Sequence, residues 1–165
     1  MIRFGAMSMM MTSIGFDSPH YWSAVKLRDE VLRKPLGLAL DAADIAADAA
    51  AHHFCTLSST QVVACASLFS LDKETVRLRQ MAVTAGLQRQ NVGSQLLIYV
   101  EGWAREHGIA TIVLHARLPA VPFYERHGYA SEGEVFEEVT IAHRLMRKRV
   151  GLHTVPFPTS GDRGV

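Results

Sequence analysis

The seven residues Gln88-Arg89-Gln90-Asn91-Val92-Gly93-Ser94 stand between a strand-like run and a helix-like run. The first N–H groups of a helix lack intrahelical acceptors. With the helix dipole they make a ready seat for an anion such as a phosphate. Gly93 leaves room for close approach. Asn91 enters the left-handed region more cheaply than most residues, and Arg89 adds a charge. No Gly-Lys-Ser/Thr follows, so this is not a Walker loop, and without three spaced glycines it is not a dinucleotide fingerprint. Spacing alone fits an ordinary polar loop as well as an anion site. Elsewhere His52, His53 and Cys55 supply no tetrahedral set, so no metal is expected there and a plain strand is the simpler reading. Neither Cys55 nor Cys65 has a neighbouring base to make it a nucleophile, and two cysteines do not build a disulfide framework.

The elements that must position the loop follow from periodicity. Asp17-Ser18-Pro19 opens a helix that runs to about Lys34, where Pro35 and Gly37 stop it. Asp41 caps an Ala-rich second helix to about Ala51. Strands are expected over His53–Leu57, Gln61–Ser70 and Thr75–Val83, a three-stranded meander whose last member sets Val76 and Leu78 against Arg77 and Arg79. A helix over Gly93–His107, with Leu96, Val100, Trp103 and Ala104 at helical spacing, leads to a strand over Thr111–Ala116. This strand–helix–strand unit predicts a parallel crossover. A short helix over Leu118–His127 and two strands, about Tyr129–Glu134 and Glu137–Met146, complete the pattern.

Composition bounds the rest. The 165 residues fit one domain, expected over 17–150, with 1–16 a flexible leader and 151–165 a disordered tail. Apolar residues make up 48% and charged residues 20%, enough to bury a core. A net charge of +1 gives no electrostatic reason to expect nucleic acid, although Arg77, Arg79 and Arg89 lie close in sequence. No apolar run approaches the roughly 18 residues of a membrane helix, and no signal peptide is clear, so a cytoplasmic protein without a membrane partner is expected.

Three segments, Leu78-Arg79-Gln80-Met81-Ala82-Val83, then Gln88 to Gly93, then Pro122-Phe123-Tyr124-Glu125-Arg126-His127-Gly128-Tyr129, resemble the GNAT N-acetyltransferase superfamily. The likeness covers roughly Tyr21 to Lys148. The superfamily loop reads Gln/Arg-x-x-Gly-x-Gly/Ala, and here Asn91 replaces the first glycine. Phe136-Glu137-Glu138-Val139-Thr140-Ile141-Ala142-His143 is similar to the Phe-x-Glu-x-Gly-Ile-Pro-His ending of an ElaA-like branch, with Thr140 and Ala142 in place of its Gly and Pro.

The resemblance implies an α+β, three-layer α/β/α fold, with a central mixed but mostly antiparallel sheet splayed where acetyl-CoA enters. It implies that Met81, Ala82 and Val83 offer backbone to the pantetheine arm. The pyrophosphate would sit on amides of Arg89, Gln90, Asn91, Val92, Gly93 and Ser94, with Gln88 opening the motif. Tyr124 matches the tyrosine that usually protonates the departing thiolate. His115 falls where some members place a glutamate base, and a half-buried strand histidine is an equal reading; a final-strand residue, Glu138 or His143, and water are the other candidates for the base. Arg28, Glu138 and His143 fall in the segments that build the acceptor site. In a regular strand Glu138 and His143 would point to opposite faces. The expected activity is acetyl transfer from acetyl-CoA to a small-molecule or peptide amine by direct attack, with a non-catalytic acyl-CoA-binding module as the alternative. Another phosphate ligand is a third, weaker reading. Homodimers are frequent in the superfamily.

Overall fold

A strand that is apolar on both faces belongs inside a sheet covered on both sides. The computed structural model, which describes residues 8–151, puts β3 (Gln61–Ser70) there, with Val62 to Leu68 all buried. Around it run β1 (Met9–Ile14), β2 (His52–Ser58), β4 (Thr75–Val83), β5 (Thr111–Arg117), β6 (Ala130–Glu138) and β7 (Ile141–Arg149). The sheet order is β1-β2-β3-β4-β5-β7-β6. Only β4 and β5 pair in parallel; every other neighbour is antiparallel. That parallel pair requires a crossover, supplied by α3 (Val92–Glu106).

The helices divide between the faces. Leu96, Leu97, Val100 and Ala104 of α3 and Tyr124 of α4 (Val121–Arg126) form one core with Leu68, Val76, Leu78, Ile112, Leu114 and Met146. On the other face, Ala24 and Leu27 of α1 (Pro19–Arg28) pack on Cys55, Leu57, Cys65 and Ala82. Ser18 caps α1, its hydroxyl accepting from the Tyr21 N–H at 3.2 Å. Asp41 and Asp44 close a reciprocal capping box on α2 (Ala42–Asp48). The α+β architecture with helices on both faces is therefore as expected.

Two boundaries differ from the sequence reading. Residues 9–14, expected in a flexible leader, form β1 and extend the meander to four strands. Ser and Thr interrupt the methionines and hide the alternation, yet Met9 and Met11 pack on the core while Met10 is exposed. Residues 1–7 and 152–165, covering the rest of the leader and nearly all of the tail, lie outside the described residues. The final strands were expected to break near Glu134–Glu137. Instead β6 runs on to Glu138, absorbing Gly133 (φ +69°) in a bulge, and the turn falls at Val139-Thr140, both at positive φ.

Two irregularities shape the site. Gln80 adopts φ +60° at a bulge in β4, where the β3–β4 register shifts. Pairing of β4 with β5 stops at Leu78–Leu114, so Gln80–Val83 and His115–Arg117 diverge. Beyond α1 the chain widens into a π-turn over Asp29–Arg33, in which the Lys34 N–H reaches back to Asp29 O. This carries Val31, Leu32 and Arg33 over the gap between the strands.

Candidate active site

The loop before α3 is built to expose amides. Arg89 and Asn91 both adopt the left-handed region (φ +62° and +64°) and Gln90 between them does not, so the sign of φ alternates. That alternation turns successive N–H groups into a common concavity, an anion nest. Asn91 is the N-cap of α3, and no side chain caps the helix, so its first amides keep no intrahelical acceptor. Gly93 is open toward the same space: a Cβ there would sit 3.5 Å from Val83 Cγ2 and 3.7 Å from Phe123 Cζ. The loop faces a cavity of about 570 Å³ walled by Met81, Ala82, Val83, Phe123 and Tyr124, within the usual size range for ligand pockets. Gln88 closes one end, its side-chain amide donating to Val83 O at 3.0 Å.

A second cavity of about 240 Å³ lies across the splay and shares Met81, Ala120 and Tyr124 with the first. Burial holds the Tyr124 phenol above its ordinary pKa. On the sheet face of this cavity stand Arg77, Arg79, His115, Arg117, Glu138 and His143. His115 Nδ1 is 2.6 Å from Arg77 Nη2 and 3.0 Å from Glu138 Oε2. A single ring nitrogen serves one of them at a time. Unprotonated, Nδ1 accepts from the guanidinium; protonated, it donates to the carboxylate and leaves Nε2 with a lone pair. Burial alone would raise the Glu138 carboxyl, but its hydrogen bond with His115 and the Arg77 guanidinium outweigh that and hold it low. His143 Nδ1 lies 2.7 Å from Ile141 O, which can only accept, so Nδ1 carries the proton and Nε2 is the acceptor.

With this geometry in hand, comparison with known proteins is decisive on family. The family model described as "Acetyltransferase (GNAT) family" matches residues 17–129. The chain belongs to the GNAT acetyltransferase family. An acyl-CoA N-acyltransferase from Pseudomonas aeruginosa has the same fold at 21% identity and a TM-score of 0.75, covering 86% of this chain and 99% of that one. ElaA from Escherichia coli matches at 21% identity and a TM-score of 0.73, covering 86% of this chain and all of that one. An aminoglycoside 6'-N-acetyltransferase solved with coenzyme A matches at 14% identity and a TM-score of 0.67, covering 86% and 97%. At such identities these likenesses establish the GNAT fold. No helix among the described residues is long and apolar enough to cross a membrane.

Within this GNAT domain, most sequence-predicted residues converge on the two cavities. Met81, Ala82, Val83, Gln88, Arg89, Asn91, Gly93, Ser94 and Tyr124 line the larger one. Gln90 and Val92 belong to the loop by backbone only: the Gln90 side chain donates to Gly86 O and Val92 is buried in the core. Arg28 is a correction. It is 2% exposed, its Nη1 donates to Asp48 Oδ2 at 2.6 Å, and it lines neither cavity. Its spacing on α1 turns it inward, where it ties α1 to α2. Glu138 and His143 were expected on opposite faces of one strand. They lie on different strands of a hairpin whose turn falls between them, and the register Phe136–His143 and Glu138–Ile141 gives them the same face. Arg77, Arg79 and Arg117 were not singled out as site residues. The Arg77/Arg79 alternation against Val76 and Leu78 was the available signal, since the buried leucine face sends the arginines to the opposite one.

Proposed function

We propose that this GNAT domain is an N-acetyltransferase that moves an acetyl group from acetyl-CoA to a primary amine by direct attack. The observation that supports it best is the meeting of two cavities at Tyr124: one is walled by an anion nest and strand backbone freed from pairing, the other by titratable side chains. Met81–Val83 would line the pantetheine arm, and the amides of residues 89–94 would hold the pyrophosphate. A coenzyme A complex of a neighbour with this fold agrees with the assignment.

In the reaction the amine nitrogen attacks the thioester carbonyl carbon, the C–S bond breaks, and Tyr124 gives its proton to the sulfur. His115 takes the ammonium proton on Nε2 while Nδ1–H donates to Glu138, which keeps the ring oriented. His143 Nε2 is free to accept an N–H of the bound amine. The ammonium gives up two protons. The first passes through His115 to solvent before attack, and the second, lost from nitrogen as the tetrahedral adduct collapses, restores the proton that Tyr124 gave to the sulfur, so one proton is released overall.

Calorimetric titration with acetyl-CoA on the wild type and on Gly93→Glu tests the cofactor assignment. A Cβ at Gly93 makes only ordinary contacts, so the variant folds while its carboxylate enters the nest. Micromolar binding by the wild type and none by the folded variant is expected. No binding by folded wild type, or equal binding by both, overturns the assignment.

A further inference from the structure

The smaller cavity has a charge imbalance that acetyl transfer to a generic amine does not call for. Four guanidiniums line it, from Arg33, Arg77, Arg79 and Arg117, against one carboxylate, Glu138. Two of the four are balanced: Arg33 lies 3.5 Å from Asp44 Oδ1, and Arg77 Nη2 is 3.2 Å from Glu138 Oε1. Arg79 and Arg117 have no carboxylate within ion-pair distance among the described residues. Arg117 donates from Nη2 to Leu32 O, and Arg79 stands over the Phe69 ring at 5.0 Å. Both are half-buried, and burial followed by a neighbouring guanidinium moves each below its ordinary pKa. Two partly desolvated charges without counter-ions are costly unless a ligand supplies them.

We propose that the acceptor amine also carries an anionic oxygen group, a carboxylate or a phosphate, and that Arg79 and Arg117 receive it. The proposal rests on the acetyl-transfer reading above. Guanidinium forks match such groups geometrically. At ~30 Å³ per water, the 240 Å³ cavity takes about eight water-sized groups, enough for a small amine with one charged head. The same cationic wall disfavours the ammonium form of the amine end, which must lose a proton before it attacks. An amine with no anion, or with further positive charge, meets repulsion without an anchor.

Matched pairs test this: alanine against alaninamide for the carboxylate, and phosphoethanolamine against ethanolamine for the phosphate. Initial rates with acetyl-CoA and calorimetric binding to the CoA-saturated protein are both read. In at least one pair the anionic member is expected to be favoured at least tenfold in kcat/KM and in affinity, and the pair that responds identifies the group. Arg79→Gln and Arg117→Gln should each erase most of that preference, and Arg79→Lys, which keeps the charge but loses the planar fork, should retain only part of it. Because Arg117 also holds Leu32, Arg79→Gln decides the matter if Arg117→Gln fails to fold. Equal or better use of the neutral member in both pairs, or a preference untouched by Arg79→Gln, overturns the proposal. If acetyl-CoA binds but no amine turns over, catalysis fails as a reading; the anion preference then stands or falls on binding, and equal affinity within both pairs overturns it.

Discussion

Because burial holds the Tyr124 phenol above its ordinary value of about 10, it stays protonated wherever an amine is acetylated. A general acid contributes roughly 10²–10⁴-fold. Tyr124→Phe should therefore lower kcat by at least about 100-fold and leave calorimetric affinity for acetyl-CoA unchanged; a non-catalytic CoA-binding module would have no activity to lose. Arg28 has the opposite character. Its Nη1 and the Tyr21 hydroxyl both donate to Asp48 Oδ2, at 2.6 and 2.7 Å, inside the protein. Arg28→Met leaves a buried carboxylate with only the phenol, a loss of about 3–5 kcal/mol expected in urea denaturation. Its acetyl-CoA affinity, measured where the variant is still folded, should not change.

At the scale of elements, the β6–β7 turn is an evident weak point. Val139 and Thr140 hold φ of +52° and +62°, and β-branched residues adopt such angles at a cost of about 1–2 kcal/mol each. Glycine removes that strain but has more unfolded-state entropy to lose. Thr140→Gly should raise stability by about 1 kcal/mol, seen as a rise of roughly 2–4 °C in Tm. The ElaA-like ending that this segment resembles has its glycine at this position, where the turn needs one. This element was only partly legible. Two strands were expected here, but Gly133 punctuates the sequence where one strand merely kinks at a bulge, and a turn made by the β-branched Val139 and Thr140 reads as strand.

For the whole molecule, His53 links helix and sheet. Its Nε2–H donates to Asp48 O at 2.8 Å, and Nδ1 accepts from the Ser67 hydroxyl at 2.8 Å, so the neutral ring is fully satisfied. Burial, first among its influences, lowers its pKa from the ordinary 6.5. The unfolded chain therefore binds a proton more readily than the folded one. Stability is complete above about pH 6.5 and declines as pH falls from there toward the folded pKa. A Tm-against-pH series should fall over that window, and His53→Gln should flatten this part of the slope while lowering Tm at neutral pH. Buried Cys55 and Cys65 face each other across β2 and β3, with thiols pushed up to about 11 and about 12, which keeps both protonated and unreactive.

Local patterning determined the types of most elements, because hydrophobic period, caps and glycine positions act over a few residues. Spacing left the loop before α3 open between an ordinary loop and an anion seat, and the tyrosine motif was legible only through the family resemblance. The Asp41 cap and the left-handed Asn91 are cases where side-chain chemistry and backbone requirement coincide in one residue. Only the tertiary structure decided that Arg28 turns inward to Asp48, and that the Gln80 bulge opens β4 from β5. It also decided that Arg77, Arg79, His115, Arg117, Glu138 and His143, drawn from four strands, share one cavity wall. Those outcomes depend on register and on which strands are neighbours. A shift of one residue sends every side chain to the other face, and pairing between distant segments leaves no mark at the residues themselves.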